Sequence, residues 1–497
     1  MLIVNRGDDA IEDLYAMEPR LAFDPEALTH AGWTGFTYFK PHEIKYASNG
    51  VHGMKVVDDL MAKHKTKDVL GLMMMDSVFS AHLTFDEARG EFNLDLSSMD
   101  KYKPLEGYAA LGGQATFKFD PEKARMVTTK LVYKGKEYVP RDDDAEVNSA
   151  FKESRLVGWR FAEKAIIASL LAMTNLIMHV KDLHLELAAA FQAVTFDSFS
   201  DDPTHPIRRL LDPFIHRSVQ ATNENLKLLY KYRAAEFSLA PLGSEVQLDL
   251  INEAIKERPI SLAAMDMTLY GKVRQMPPRF SQRADSGAEQ PRYFWRWHYR
   301  ALKVQGLYDD MANCWIDANF PGKLSDAEMQ QEDTLKQWWE SLKKYLPAFK
   351  RSMETEDPLL KPWGNGGVLT RQALVNLLRT VMVWVSWIHE DVGHSAAAYV
   401  YNPIHTPMLV PEDGIGVPLA SYAFNVAAYR GFVFLQRAAL LDAPPDYWFS
   451  SKAGDKKCFT NFQNELRKLG DTDPAFSECD ANGFYSCVDR VETAVSS

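Results

Sequence analysis

GWRFAEKAIIASLLAMTNLIMHVKDLHLELAAAFQAVTF, residues 158–196, contains no proline and, after Gly158, no glycine. Its Ala, Leu, Met and Lys are strong helix formers and apolar residues occupy most of its faces, so the stretch reads as one long helix buried in a core. The most apolar part, Ala165 to Val180, is interrupted by Thr174, Asn175 and His179 and is too short for a membrane span. A second stretch of this kind, VNLLRTVMVWVSWIHEDVGHSAAAYVY at 375–401, follows Thr370, a side chain suited to capping a helix start. Asn402-Pro403 ends it. Two central helices therefore organise the chain. Each carries a histidine pair with four residues between its members: His179 and His184 on the first, His389 and His394 on the second.

In a regular α-helix, residues five apart point about 140° away from each other. Such a pair converges on one point only if the helix widens locally into a π-turn, a distortion that clusters at functional sites. The chain has 13 histidines in 497 residues, and these four sit where an imidazole without a partner would be costly to bury. A single pair would read as two satisfied core histidines. Two matching pairs point instead to a metal centre of nitrogen ligands, a set that suits iron, copper, nickel or zinc better than magnesium or calcium.

Outward from the two helices, the pattern changes between Gln114 and Tyr138. There ATFKF, Asp120-Pro121, MVTTKLVY and Lys134-Gly135-Lys136 read as strands joined by tight turns. Residues 1–110 mix short helical patterns with turn clusters and show no internal repeat. Helical periodicity returns in HPIRRLLDPFIH, in YFWRWHYRALKVQGLYDDMANCWIDAN at 293–319, in QWWESLKKYLPAFKRSM and near Leu419 to Leu441, with a polar, proline-bearing surface loop from Val273 to Arg292. The expectation is a mainly α protein with a small β-sheet. It is read as one unit over 1–497, in which 1–110 has uncertain structure and 111–497 forms the metal-binding helical body.

Lys+Arg 56 against Asp+Glu 67 leaves a net charge of −11, so no overall basic field attracts a nucleic-acid backbone. Hydrophobic content of 46% with 12% aromatics is ample for a large core. MLIVNRGDDAIEDLY lacks the basic flank and long apolar segment of a secretory signal. Cys314, Cys458, Cys479 and Cys487 show no C-x-x-C spacing and read as free thiols of a reducing, cytoplasmic protein.

Other residues have a plainer reading. His205 before a proline is a turn element, and His216 and His298 are ordinary histidines. Phe294, Trp295, Trp297 and Tyr299 are core aromatics before they are the walls of a lipid channel. Arg208, Arg209, Arg296 and Arg300 read as solvated helix faces in preference to carboxylate binders. His389-Glu390 followed by His394 invites a zinc-hydrolase reading with Glu390 activating water, but its histidines are one residue too far apart for H-E-x-x-H, and it leaves the first pair unused. A scaffold that has lost its chemistry is a third class, to which intact histidines do not correspond.

The order of these segments resembles the catalytic domain of lipoxygenases. The FKFD and TTKLVY strands, Trp159 and Lys164 before His179, HPIRRLLDPF at 205–214, Gly306-Leu307 before Cys314-Trp315, Trp338-Trp339, and NPIHTPMLVPEDG after the second histidine helix occur in the family's order. The resemblance covers most of 114–440 and implies a large helical domain on two central helices, without the family's N-terminal β-barrel. It implies non-haem iron, with manganese as the alternative, and addition of dioxygen to a polyunsaturated fatty acid or related lipid. Contact with a membrane would be peripheral at most. His179 and His184 would be ligands from the first helix. The family's second helix supplies a histidine and, four residues later, an asparagine or histidine, whereas here His389 and His394 are five apart. The family's last ligand is a terminal carboxylate, normally of isoleucine; here it would be that of Ser497. These departures leave open a hydroxylase or an oxygenase acting on another apolar metabolite.

Overall fold

The computed structural model describes residues 50–75, 77–140, 156–215, 217–226, 230, 240–283, 292–320, 325–393, 405–414, 440–441, 453–477, 487–489 and 491. The readings made of 1–49, of most of the helix near Leu419 to Leu441, of Asn402-Pro403, and of His216, His394 and Ser497 fall outside these residues.

Helices Gly50–Lys63 and Val69–Met73 precede the strands. β1 (Thr84–Asp86), β2 (Glu91–Asp95), β3 (Gln114–Asp120), β4 (Arg125–Tyr133) and β5 (Lys136–Tyr138) form an antiparallel sheet in sequence order. The expected pair is β3 and β4, with Phe117 opposite Thr128 and Phe119 opposite Met126. A bulge opposite Thr116 and Phe117 shifts the phase of β4. Met126 and Thr128 before it, and Leu131 and Tyr133 after it, are therefore all buried, so that one strand keeps the same face on the core along its length. Asp68 ties this sheet to the helices: its carboxylate accepts from the Gly71 amide at 2.8 Å and from the Thr128 hydroxyl at 2.7 Å.

The rest is mainly helical. α1 (Gly158–Ser198) runs unbroken for 41 residues, and 89% of its most apolar window is buried inside the protein, as expected of a core helix. It widens to π geometry from Met173 to Ala189. α2 (Pro206–Ile215) and α3 (Ser218–Leu226) fold back beside it. α4 (Arg296–Asn319) is the long helix that packs on both α6 and α7. α5 (Asp333–Tyr345) covers the far end of α1, where the Trp338 indole donates to the Thr195 hydroxyl at 3.2 Å. α6 (Arg371–Gly393) starts at the Thr370 cap, whose hydroxyl accepts from the Ala373 amide at 3.2 Å, and widens from Trp384 to Ile388. α7 (Ala453–Thr472) closes the described chain against α4.

Two readings of the sequence are corrected. The cysteines are not free: Cys314 on α4 and Cys458 on α7 form a disulfide with Cα atoms 5.7 Å apart, and Cys487 is disulfide-bonded as well. The partners in the first bond are 144 residues apart, a distance across which spacing rules carry no information. With the free thiols goes the ground on which a reducing compartment was read. The arginines are not solvated helix faces either. Arg300 is fully buried, 3.3 Å from Asp391 and 4.8 Å from the Trp387 ring centre. Arg209 pairs with Asp455 at 2.6 Å, Arg208 lies over the Phe196 ring, and Arg296 donates to the carbonyls of Pro474 and Ala475. Periodicity along one helix does not reveal that another helix covers its polar side. The aromatic reading matches the structure at Trp295 and Trp297, which are fully buried in the core.

Candidate metal centre

α1 and α6 meet where both are widened. There the Nε2 atoms of His179, His184 and His389 form a nearly equilateral triangle: 3.2 Å between His184 and His179, 3.1 Å between His179 and His389, and 3.3 Å between His389 and His184. Widening is what lets His179 and His184 share a point, since i→i+5 bonding returns residues five apart to one face. An ion held here would be bound by the Nε2 atoms of His179, His184 and His389.

Three imidazole nitrogens this close offer a cation a ready set of nitrogen donors. Burial and the neighbouring His179 hold His184 well below the usual histidine range, so it presents a neutral ring, the form that binds metal. The turn is braced from outside. Lys181, buried, lies 2.6 Å from Glu186 on the same widened segment, and burial pushes the Glu186 carboxyl up to about 7 despite that cation. The Thr222 hydroxyl on α3 lies 3.5 Å from the His184 carbonyl oxygen.

The structure thus brings together three of the residues singled out in the sequence; His394 and Ser497 lie outside the described part. Its arrangement differs from a zinc hydrolase built on α6 alone, because His389 converges with the pair on α1 while Glu390 is buried in the helix packing. His205 is structural: its Nδ1 accepts from the Ile207 amide at 3.2 Å and its ring stacks on Phe199. His298 is structural too, held between Ser281 and the Met267 carbonyl, and burial lowers it to about 4.

Sequence reasoning passed over other polar residues along the widened helix and beside it. His82 bonds Thr174 through Nε2 at 3.0 Å. Thr174, His179 and His184 recur every five residues, the period of a widened turn, and that recurrence was a usable signal. Thr222 and Asn223 gave none, being polar residues on a short helix.

No family model and no curated protein matches this sequence. Solved structures do. Coral 8R-lipoxygenase superposes with a TM-score of 0.66 at 13% identity over 88% of this chain and 67% of its own. A calcium-dependent 11R-lipoxygenase gives 0.65 at 13% over 87% of this chain and 66% of its own. The delta413-417:GS LOX variant, solved anaerobically in complex with arachidonate, gives 0.67 at 13% over 98% of this chain and 74% of its own. The chain spans about two thirds of the first two. It has the fold of the lipoxygenase catalytic domain.

Proposed function

We propose that the chain is a non-haem iron dioxygenase of lipoxygenase type, acting as one catalytic domain that adds dioxygen to a polyunsaturated fatty acid or related lipid. The observation that carries this reading is the convergence of His179, His184 and His389 from two widened helices within that fold. The arachidonate-bound neighbour supports a lipid as the substrate class. Iron, when bound, supplies the one-electron chemistry that removes a hydrogen from the doubly allylic carbon of a cis,cis-pentadiene, after which dioxygen adds to the carbon radical. The same donors accept manganese.

The chain's own residues supply placement and protection. The neutral His184 ring keeps its lone pair available, and the Lys181–Glu186 pair ties the widened turn on either side of that ring. Leu176, Leu183, Ile388 and Val392, near the histidines in sequence, are fully buried, and apolar surroundings of this kind suit a site where a carbon radical must survive.

Incubated with linoleic or arachidonic acid in air, the metal-loaded protein is expected to consume oxygen and form a conjugated diene that absorbs in the near ultraviolet. Inactivity on a panel of free and esterified polyunsaturated lipids, with metal fully loaded, would move the reading to an oxygenase or hydroxylase of another apolar metabolite. His394 and the Ser497 carboxylate are proposed as additional donors. One glycine added after Ser497 displaces that carboxylate by up to about 3.6 Å, beyond the reach of a coordination bond. The extended chain is expected to lose most of its activity; full activity and metal content would remove Ser497 from the ligand set.

A further inference from the structure

Asn223 on α3 is 0% exposed, and neither its amide oxygen nor its amide nitrogen has a hydrogen-bond partner among the described residues. Buried amides are paired in the great majority of cases, so one left open on both sides calls for a ligand. On the same helix the buried Ser218 hydroxyl is likewise without a partner, while the Thr222 hydroxyl donates to the Ser218 carbonyl at 2.7 Å.

Its position follows from two contacts between α3 and α1. The Val219 amide donates to the Gln192 side-chain oxygen at 2.7 Å, and the Thr222 hydroxyl reaches the His184 carbonyl oxygen at 3.5 Å. Advancing along α3 thus moves backward along α1, so the helices run antiparallel. Asn223, one residue past Thr222, lies level with the widened turn between His184 and His179. On the other wall, the residue one α-helical turn beyond His389 is Gly393, which has no side chain to offer. Among the described residues three nitrogen donors converge there and no carboxylate joins them. A buried, unpaired amide oxygen supplies an oxygen donor without adding charge.

We propose that Asn223 is a further ligand of this centre, presenting its amide oxygen to the ion held by His179, His184 and His389. The proposal rests on the metal reading above.

The test uses the full chain and cobalt(II), whose visible absorption reports the number and type of ligands. Wild type binding one cobalt, with no binding by His179→Ala plus His184→Ala, establishes the centre; a wild type that binds none removes the metal reading itself and the proposal with it. Given that centre, Asn223→Ala and Asn223→Leu are expected to bind cobalt more weakly by at least the about 10- to 100-fold that an outer-shell partner is worth and to alter the visible bands. Asn223→Asp, which keeps an oxygen donor, is expected to retain a wild-type-like spectrum. Asn223→Leu is also expected to raise the melting temperature of the metal-free protein, because it removes an unpaired buried amide. Wild-type affinity and an unchanged spectrum in the Ala and Leu variants would overturn the proposal, as would a Leu variant with a lowered melting temperature and an unmoved spectrum.

Discussion

Protein carrying His179→Ala together with His184→Ala is expected to purify with almost no bound metal and no oxygenase activity, while its far-ultraviolet circular dichroism stays that of the wild type. Both rings point at one place, so the change removes two of the three donors described there. Outer-shell partners of metal ligands are each worth about 10- to 100-fold in affinity. Two direct ligands are worth more, and a loss of at least about ten-thousand-fold is expected. The helix itself should persist. Alanine is the best helix former, and α1 is held by buried neighbours along most of its length, among them Leu170, Leu176, Leu187 and Phe191. Iron analysis of wild type and variant from the same growth decides the matter. Stoichiometric iron in the variant would place the metal elsewhere and sink the centre.

How much of this was legible in the sequence depends on the range over which each signal acts. The two central helices were, because a long apolar run without proline has few other ways to fold. So was the need for π-turns, since the five-residue spacing of His179 and His184 has no other route to a common point. The β3–β4 pair was legible from alternation, and the Thr370 cap from its position before an apolar run. What the sequence concealed is contact between distant elements. Cys314 meets Cys458, and Arg300 is enclosed with Asp391 and Trp387, by helix packing that leaves no local mark. Thr222 and Asn223 acquire interest only once α3 is seen to lie antiparallel on α1. Nothing in the composition of α3 announces which wall it will form.

Replacing Cys314 and Cys458 together by alanine is expected to lower the unfolding free energy by several kcal/mol. The bond closes a loop across 144 positions of sequence, so it removes a large share of the unfolded chain's freedom. Chain-entropy reasoning puts the stabilisation from a loop of that length at about 5 kcal/mol, with engineered and native examples spread below that value. The neighbourhood argues that much of it is realised. One turn before Cys458, Asp455 is buried and accepts from Arg209, and Asn319 on α4 donates to the same carboxyl group. α7 is therefore already seated against α4, and the bond joins elements in register. Because α4 also packs on α6, the helix that carries His389, loosening this contact weakens support for one wall of the metal centre. Urea denaturation under non-reducing conditions measures the effect. Reductant should shift the wild-type midpoint toward that of the double variant and move the variant less. Coincident midpoints for oxidised wild type and double variant would show that α7 is held by packing and the Arg209–Asp455 pair alone, and that the crosslink contributes nothing to the fold.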